Sequence, residues 1–306
     1  MAATISPQAL HDSILRALAN DGSELAIVDV RDEQVFAEDH LLYAISVPLS
    51  RLELLMADLV PRKDTAVVLC DAGSGEPGAA RAADALAAYG YSNLSVLDGG
   101  VAGWAAAGYE TYSGFNVPSK AFGEHVEHHF DTPSVSAEEL KGMIDSGEDM
   151  VILDSRPMDE YNTMNIPGGV CCPGGELVYR INAIAPDPDT TVVVNCAGRT
   201  RSIIGAQSLR NAGIPNKVVA LRNGTMGWHL SGFQLEHGNT KNHPDVATSD
   251  VDTAQGRAAD VAGRFAVETV TPQQVEAWKK DGSRTLFLLD VRTAGEFAAG
   301  HLAGAK

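Results

Sequence analysis

The sequence predicts an α/β protein made of tandem domains, each with a central parallel sheet covered by helices on both faces. Three observations predict it. Short apolar runs alternate with helical stretches along the 306 residues, the pattern of strands that reach parallel neighbours through helical crossovers. One string of features recurs at a period of about 125 to 135 residues, the size of a small domain. The chain is also too long for one ordinary domain and suits two or more.

Each element of the repeat can be read in turn. The first strand is Ile27-Val28-Asp29-Val30-Arg31, then Ile152-Leu153-Asp154-Ser155-Arg156, then Leu288-Leu289-Asp290-Val291-Arg292. Each has a buried-strand pattern ending in an acid and an arginine. A short helix follows with an acid and an aromatic: Glu33 and Phe36, Glu160 and Tyr161, Glu296 and Phe297. A turn and a second strand start at His40, Asn165 and His301. In the first two copies an apolar strand then runs to a cysteine, Ala66 to Cys70 and Val192 to Cys196, which sets Cys70 opposite Cys196. An Ala-rich or apolar helix ends near Gly90 and Gly213. Last come a short strand, the turn Asp98-Gly99-Gly100 or Arg222-Asn223-Gly224, and a tryptophan, Trp104 or Trp228, read as a core anchor.

These limits give a first domain at 1–115, a linker at 116–132, a second domain at 133–240, a linker at 241–265 and the start of a third domain at 266–306. The second linker is rich in Asp, Asn, Gly and Ala, as an exposed connector is. The third copy stops before any cysteine strand, and a complete copy needs roughly 60 to 80 more residues. The chain therefore reads as a piece of a longer protein, whose last segment docks on a neighbour or frays.

Composition narrows the function. The formal net charge is −17, and no basic run relieves it. That argues against nucleic-acid or anionic-membrane partners. No stretch approaches the roughly 20 apolar residues of a membrane span, and Met1 to Pro7 lacks a basic region followed by an apolar core. A cytoplasmic protein with reduced thiols is expected. Of its four cysteines, Cys171 and Cys172 align with Ser46 and Val47 and are read as packing residues. His125, His128 and His129 suit a plain helix face better than a metal site, so no metal and no cofactor are expected. Arg156 is expected to pair with Glu160 and hold the strand–helix turn.

The chemistry is expected at Cys196-Ala197-Gly198-Arg199-Thr200-Arg201. A cysteine attacks as its thiolate, and a strand-to-helix turn aims backbone N–H groups and the helix dipole at the sulfur. With the helix beginning near Ser202, the amides of Ala197 to Arg201 would form a nest, and Gly198 would relieve the strain of so tight a loop. Arg199 and Arg201 add charge that neutral pH cannot remove. The first copy differs: Asp71-Ala72-Gly73-Ser74-Gly75-Glu76-Pro77-Gly78 aligns as a loop three residues longer, with two acids and no base before Arg81. Acids raise a thiol's pKa and repel anions, so Cys70 is expected to be a poor nucleophile toward an anion.

With Asp154-Ser155-Arg156, Glu160-Tyr161, Ile166-Pro167-Gly168-Gly169, the loop from Cys196 to Ser202 and the closing Gly224 to Trp228 in this order and repeated, the chain resembles the rhodanese-like sulfurtransferases in tandem array. The resemblance implies a central five-stranded parallel sheet in each domain, a catalytic Cys196 that carries sulfur as a persulfide, and a substrate-binding loop of Ala197, Gly198, Arg199, Thr200 and Arg201. It implies a small anionic sulfur donor such as thiosulfate or 3-mercaptopyruvate, and cyanide, a thiol or a protein as acceptor. Two other readings compete. One is a non-catalytic recognition or scaffold module, which the first copy suits. The other is a phosphatase of similar fold, whose loop needs one more residue to enclose a phosphate. Only four residues separate Cys196 from Arg201, and Asn195, not a histidine, precedes the cysteine.

Overall fold

A computed structural model describes residues 2–73, 75 and 77–306; Met1, and Ser74 and Glu76 of the first copy's expected loop, lie outside the described residues. The chain divides into two compact units, Met1–Val117 with Val270–Lys306, and Pro118–Thr269. In the first the order is β1 (Ala3–Ile5), α1 (Pro7–Leu18), β2 (Leu25–Asp29), α2 (Glu33–Glu38), β3 (Ala44–Ser46), α3 (Leu52–Leu59), β4 (Ala66–Cys70), α4 (Gly78–Ala88), β5 (Leu94–Leu97) and α5 (Gly100–Ala106). Helix α6 (Val117–Phe130) follows. The second unit then repeats the order with β6 (Ser134–Val135), α7 (Ala137–Ser146), β7 (Met150–Asp154), α8 (Met158–Thr163), β8 (Val170–Cys171), α9 (Leu177–Ile184), β9 (Thr191–Asn195), α10 (Thr200–Asn211), β10 (Val218–Leu221) and α11 (Gly224–Leu230). Each set of five strands makes one parallel sheet, ordered β1-β5-β4-β2-β3 and β6-β10-β9-β7-β8. The tandem α/β fold is the one the sequence predicts.

The strands are apolar at nearly every position because both faces are covered. In β9, Val192 and Val194 enter one core and Val193 the other. In β4, Val67 and Leu69 face one core while Val68 and Cys70 face its opposite. The helices start where side chains can serve their free amides. Ser6 accepts from the Ala9 amide at 3.2 Å ahead of α1, and Ser136 and Glu139 form a reciprocal capping box on α7. Trp104 and Trp228 are buried core anchors whose indole N–H groups donate to Glu110 and Gln234 carbonyls at 3.0 and 2.8 Å.

The acid and arginine of the first repeat strand form the same fork in all three copies. Arg156 donates to Asp154 from Nε (2.9 Å) and Nη2 (2.7 Å), and from Nη2 to the Met164 carbonyl at 2.6 Å. Arg31 meets Asp29 and the Asp39 carbonyl in the same way, and Arg292 meets Asp290 and the Gly300 carbonyl. The expected Arg156–Glu160 pair is therefore not formed. A partner two residues back in sequence, at the same strand end, is closer than one on the helix.

Both expected linkers contain helix. Residues 116–132 hold α6, whose Val126 enters the core of the second unit. Residues 241–265 hold α12 (Thr248–Arg264), with Ala254 buried and Arg257 donating to Asn182 at 2.8 Å. The third copy adds α13 (Pro272–Lys280) and α14 (Ala294–Ala299) and an isolated bridge of Leu288 with Ala305. It belongs to the first unit, where Thr285 Oγ1 donates to Glu24 at 2.7 Å and Lys306 pairs with Asp58 at 3.0 Å. Val291 of this copy is 96 % exposed.

Candidate active site

Parallel strands align their carboxyl ends, and that edge of an open α/β sheet is where sites form. Strand β9 is the middle strand of its sheet, and Cys196 follows it directly. The chain then turns through three residues and enters α10 at Thr200, two residues earlier than the expected start near Ser202. Cys196 is 2 % exposed.

Among the described residues, the backbone N–H groups of Ala197, Gly198, Arg199, Thr200, Arg201 and Ser202 have no hydrogen-bond acceptor. The first bond of the helix is from Ile203 to the Arg199 carbonyl. Such a run is unserved by its own helix and suits an anion. Gly198 does not supply the conformational freedom expected of it, because it is absent from the positive-φ residues and a Cβ there would meet open space. The necessary glycine is Gly224, at φ +52°, where a Cβ would lie 2.3 Å from the Cys196 carbonyl oxygen and 2.5 Å from that of Gly198. The start of α11 is thereby backed against the loop. The amides of Thr225 and Met226 donate to the carbonyls of Cys196 (2.8 Å) and Ala197 (3.0 Å). These bonds occupy the loop's carbonyls and leave its amides available.

A buried polar chain lies beneath. Thr225 Oγ1 donates to the Cys196 carbonyl at 3.0 Å and accepts from Asn195 Nδ2 at 3.3 Å; Asn195 Nδ2 also donates to Asp154 Oδ2 at 3.0 Å. Asp154 in turn holds Arg156. Asn195, Thr225 and Gly224 were not among the expected site residues. The turn Arg222-Asn223-Gly224 was visible in the repeat, and its left-handed Asn223 and Gly224 are the signal that could have pointed to them.

The two arginines of the loop do not stand free. Arg201 forms a bidentate pair with Glu160, at 2.7 and 2.8 Å. Arg199 pairs with Glu124 at 3.3 Å and with Glu127, both on α6. Hydrogen bonding to Arg201 holds the Glu160 carboxyl below its usual range, and bonding to Glu127 raises the Arg199 pKa.

Strand register corrects the comparison of the copies. Asp154 sits opposite Asn195 across β7 and β9, and Asp29 sits opposite Cys70 across β2 and β4. Cys70 therefore matches Asn195, and the residue matching Cys196 is Asp71. The bonds agree: Val101 and Ala102 donate to the carbonyls of Asp71 and Ala72, as Thr225 and Met226 do to Cys196 and Ala197. Eighteen residues separate Asp71 from Gly90 and sixteen separate Cys196 from Gly213, so the first loop is two residues longer, not three. The Asp71 carboxylate accepts from the amides of Gly73 (3.0 Å) and Ala79 (2.9 Å). The carboxylate at this position is thus held by the chain's own amides.

The remaining cysteines are packing residues. Cys70 is fully buried in the core, and burial pushes its pKa well above the ordinary thiol value, with Asp29 adding to the shift. Burial likewise raises Cys171 to about 11 and Cys172 to about 12. His125 and His129 stack on α6, with ring centroids 5.4 Å apart.

Comparison with known proteins agrees with this architecture. A crystal structure of thiosulfate sulfurtransferase from Pseudomonas aeruginosa superposes with a TM-score of 0.92 at 50 % identity, covering 99 % of this chain and 57 % of that one. YrkF of Bacillus subtilis, named as a candidate sulfur carrier protein, is 33 % identical over 107 residues, 35 % of this chain and 56 % of that protein. The HTH-type transcriptional regulator Rv0324 of Mycobacterium tuberculosis is 29 % identical over 114 residues, 37 % of this chain and 48 % of the regulator. The chain thus spans about half the length of the relatives it matches. The rhodanese-like domain matches residues 12–107 and again 136–231, and the chain belongs to that family.

Proposed function

We propose that the chain is a sulfurtransferase that moves sulfane sulfur from an anionic donor such as thiosulfate to a thiophilic acceptor, through a persulfide on Cys196. The observation that carries this reading is the run of six amides after Cys196 with no acceptor among the described residues, where the equivalent residue of the first copy, Asp71, has a carboxylate that accepts from amides of its own loop. One scaffold holds an anion in both copies: a fixed carboxylate in the first, a thiolate and its sulfur adducts in the second.

In the first half-reaction the Cys196 thiolate attacks the outer sulfur of thiosulfate. A sulfur–sulfur bond forms at Cys196, the bond within thiosulfate breaks, and sulfite departs with the electron pair. The loop amides stabilise the charge on the persulfide that remains. In the second half-reaction a nucleophile attacks the outer sulfur, and the Cys196 thiolate leaves. Cyanide departs as thiocyanate, and a thiol or a protein thiol departs as a persulfide. Cyanide attacks as the anion, and an acceptor thiol attacks after losing its proton to solvent, so neither displacement requires a separate base once the Cys196 thiolate exists. Cys196 is the catalytic residue, and Ala197, Gly198, Arg199, Thr200 and Arg201 line the donor site. The first copy, with Asp71 in place of a thiol, is non-catalytic in this reading and acts as a scaffold.

Thiocyanate formation from thiosulfate and cyanide tests the proposal, with intact mass read after thiosulfate alone. Cys196→Ser should abolish turnover and the gain of one sulfur, while Cys70→Ser should change the rate less than about twofold. Persistent turnover in Cys196→Ser would overturn the assignment.

A further inference from the structure

The charge at the mouth of the Cys196 loop is not what its sequence suggests. Arg199 and Arg201 contribute two positive charges, and Glu124, Glu127 and Glu160 contribute three negative ones in direct contact with them. Glu160 belongs to α8 of the same repeat. Glu124 and Glu127 come from α6, which is closely seated on the loop. A Cβ at Gly123 would lie 2.9 Å from Thr200 Cγ2 and 3.3 Å from its Cα, so the helix backbone rests directly on the first turn of α10. Val126 anchors the next turn in the core, and Thr132 donates to Gln207 of α10 at 3.0 Å beyond its end. Glu127 is 19 % exposed at its side chain and Glu124 is 55 % exposed. Helix α6 therefore delivers two carboxylates to a fixed place beside Arg199.

We propose that Glu124 and Glu127 are specificity-determining residues of the Cys196 site, which neutralise Arg199 and so select against doubly charged sulfur donors in favour of singly charged ones. This rests on the sulfurtransferase reading above. A donor entering the loop meets the field of the whole cluster, and a dianion gains or loses twice what a monoanion does from each charge at the mouth. With Arg199 tied to α6, attraction for a dianion comes from the loop amides against a rim of net negative charge. The pairing leaves kcat alone, because it acts on donor approach and not on the bond that breaks: sulfur–sulfur in thiosulfate, which releases sulfite, and carbon–sulfur in 3-mercaptopyruvate, which releases pyruvate enolate to take up the donor thiol's proton.

The test is steady-state kinetics of the full chain at low ionic strength, with thiosulfate and with 3-mercaptopyruvate as donors and cyanide as acceptor. The variant is E124Q/E127Q, which keeps side-chain size. KM for thiosulfate should fall roughly threefold to tenfold with kcat unchanged. KM for 3-mercaptopyruvate should fall by about the square root of that factor, and added salt should erase the difference. Asp145→Asn removes one charge from an exposed pair with Lys141 on α7 and should leave both KM values unchanged. A rise in KM for thiosulfate would mean that the glutamates hold Arg199 ready for the donor, and would overturn the proposal. Equal shifts for both donors, or none, would also overturn it. Failure of the sulfurtransferase reading looks different: the unsubstituted protein would give no thiocyanate from either donor and gain no sulfur on Cys196.

Discussion

Arg156 has 2 % of its side chain exposed and Asp154 has 1 %, so each charge depends on the other for the solvation that burial removes. Asp154 also accepts from Asn195, which makes the pair the foot of the polar chain under Cys196. Removing one partner leaves an uncompensated buried charge, and Asp154→Ala should destabilise the second unit by about 3–5 kcal/mol. Urea unfolding followed by the fluorescence of Trp228 would measure it. The third copy is a control with the same fork and different burial. Arg292 keeps 45 % of its side chain exposed, water can replace its partner, and Asp290→Ala should leave both unfolding transitions in place. The fork shows why part of the residue scale is not legible in sequence. Asp154, Arg156 and Glu160 were visible as a cluster, but the choice of partners depends on which side chains share a strand end. Glu160 turns instead to Arg201, a pairing across 41 positions that no local spacing announces.

At the scale of elements, the loop is shaped from behind by the start of α11. The left-handed residues Asn223 and Gly224, at φ +58° and +52°, turn the chain so that two helix amides reach the loop's carbonyls. The first copy repeats the device at Gly99 and Gly100, at φ +67° and +56°. Gly224→Ala would set a methyl group against backbone atoms of Cys196, Ala197 and Gly198, and backbone cannot rotate away as a side chain can. Sulfur transfer should fall at least about a hundredfold, since an error near 1 Å in a reacting group costs about that factor. Thiocyanate assays would check it, with Trp228 fluorescence to confirm that the unit remains folded. The turn itself was legible, because Gly-Gly and Asn-Gly recur at matching places. Its role was not, because nothing in the sequence says that the turn touches the cysteine loop. Helix α6 was legible only in part: the spacing of His125, His128 and His129 suits a helix face, but the segment reads as a connector, and only its seat on α10 gives Glu124 and Glu127 a partner.

At the scale of the whole molecule, the repeat made the tandem parallel sheets legible, but register within it was harder to read. Cys70 and Cys196 each close an apolar strand, and aligning like with like is natural; the ladders instead make Cys70 the counterpart of Asn195 and Asp71 the counterpart of Cys196. A slip of one residue carries a side chain to the opposite face of a sheet, so Cys70 points into a core while Cys196 lies beyond its strand. Under the proposed function, one of the chain's four thiols carries sulfur. Burial raises Cys70 well above the ordinary thiol value, Cys171 from 9.0 to about 11 and Cys172 from 9.0 to about 12. At pH 8 these three hold their protons and cannot attack a donor. Loading with excess thiosulfate should therefore add one sulfur per chain by intact mass, all of it on Cys196, and a second sulfur would contradict the assignment. The same shifts set an alkaline limit on stability. Each buried thiol binds its proton more tightly folded than unfolded, so its contribution is complete below the unfolded value of 9.0 and is lost as pH rises through about 11 and 12. Urea midpoints should be flat in this respect up to about pH 9 and fall above it, and Cys172→Ala should make the fall shallower for the unit that contains Trp228.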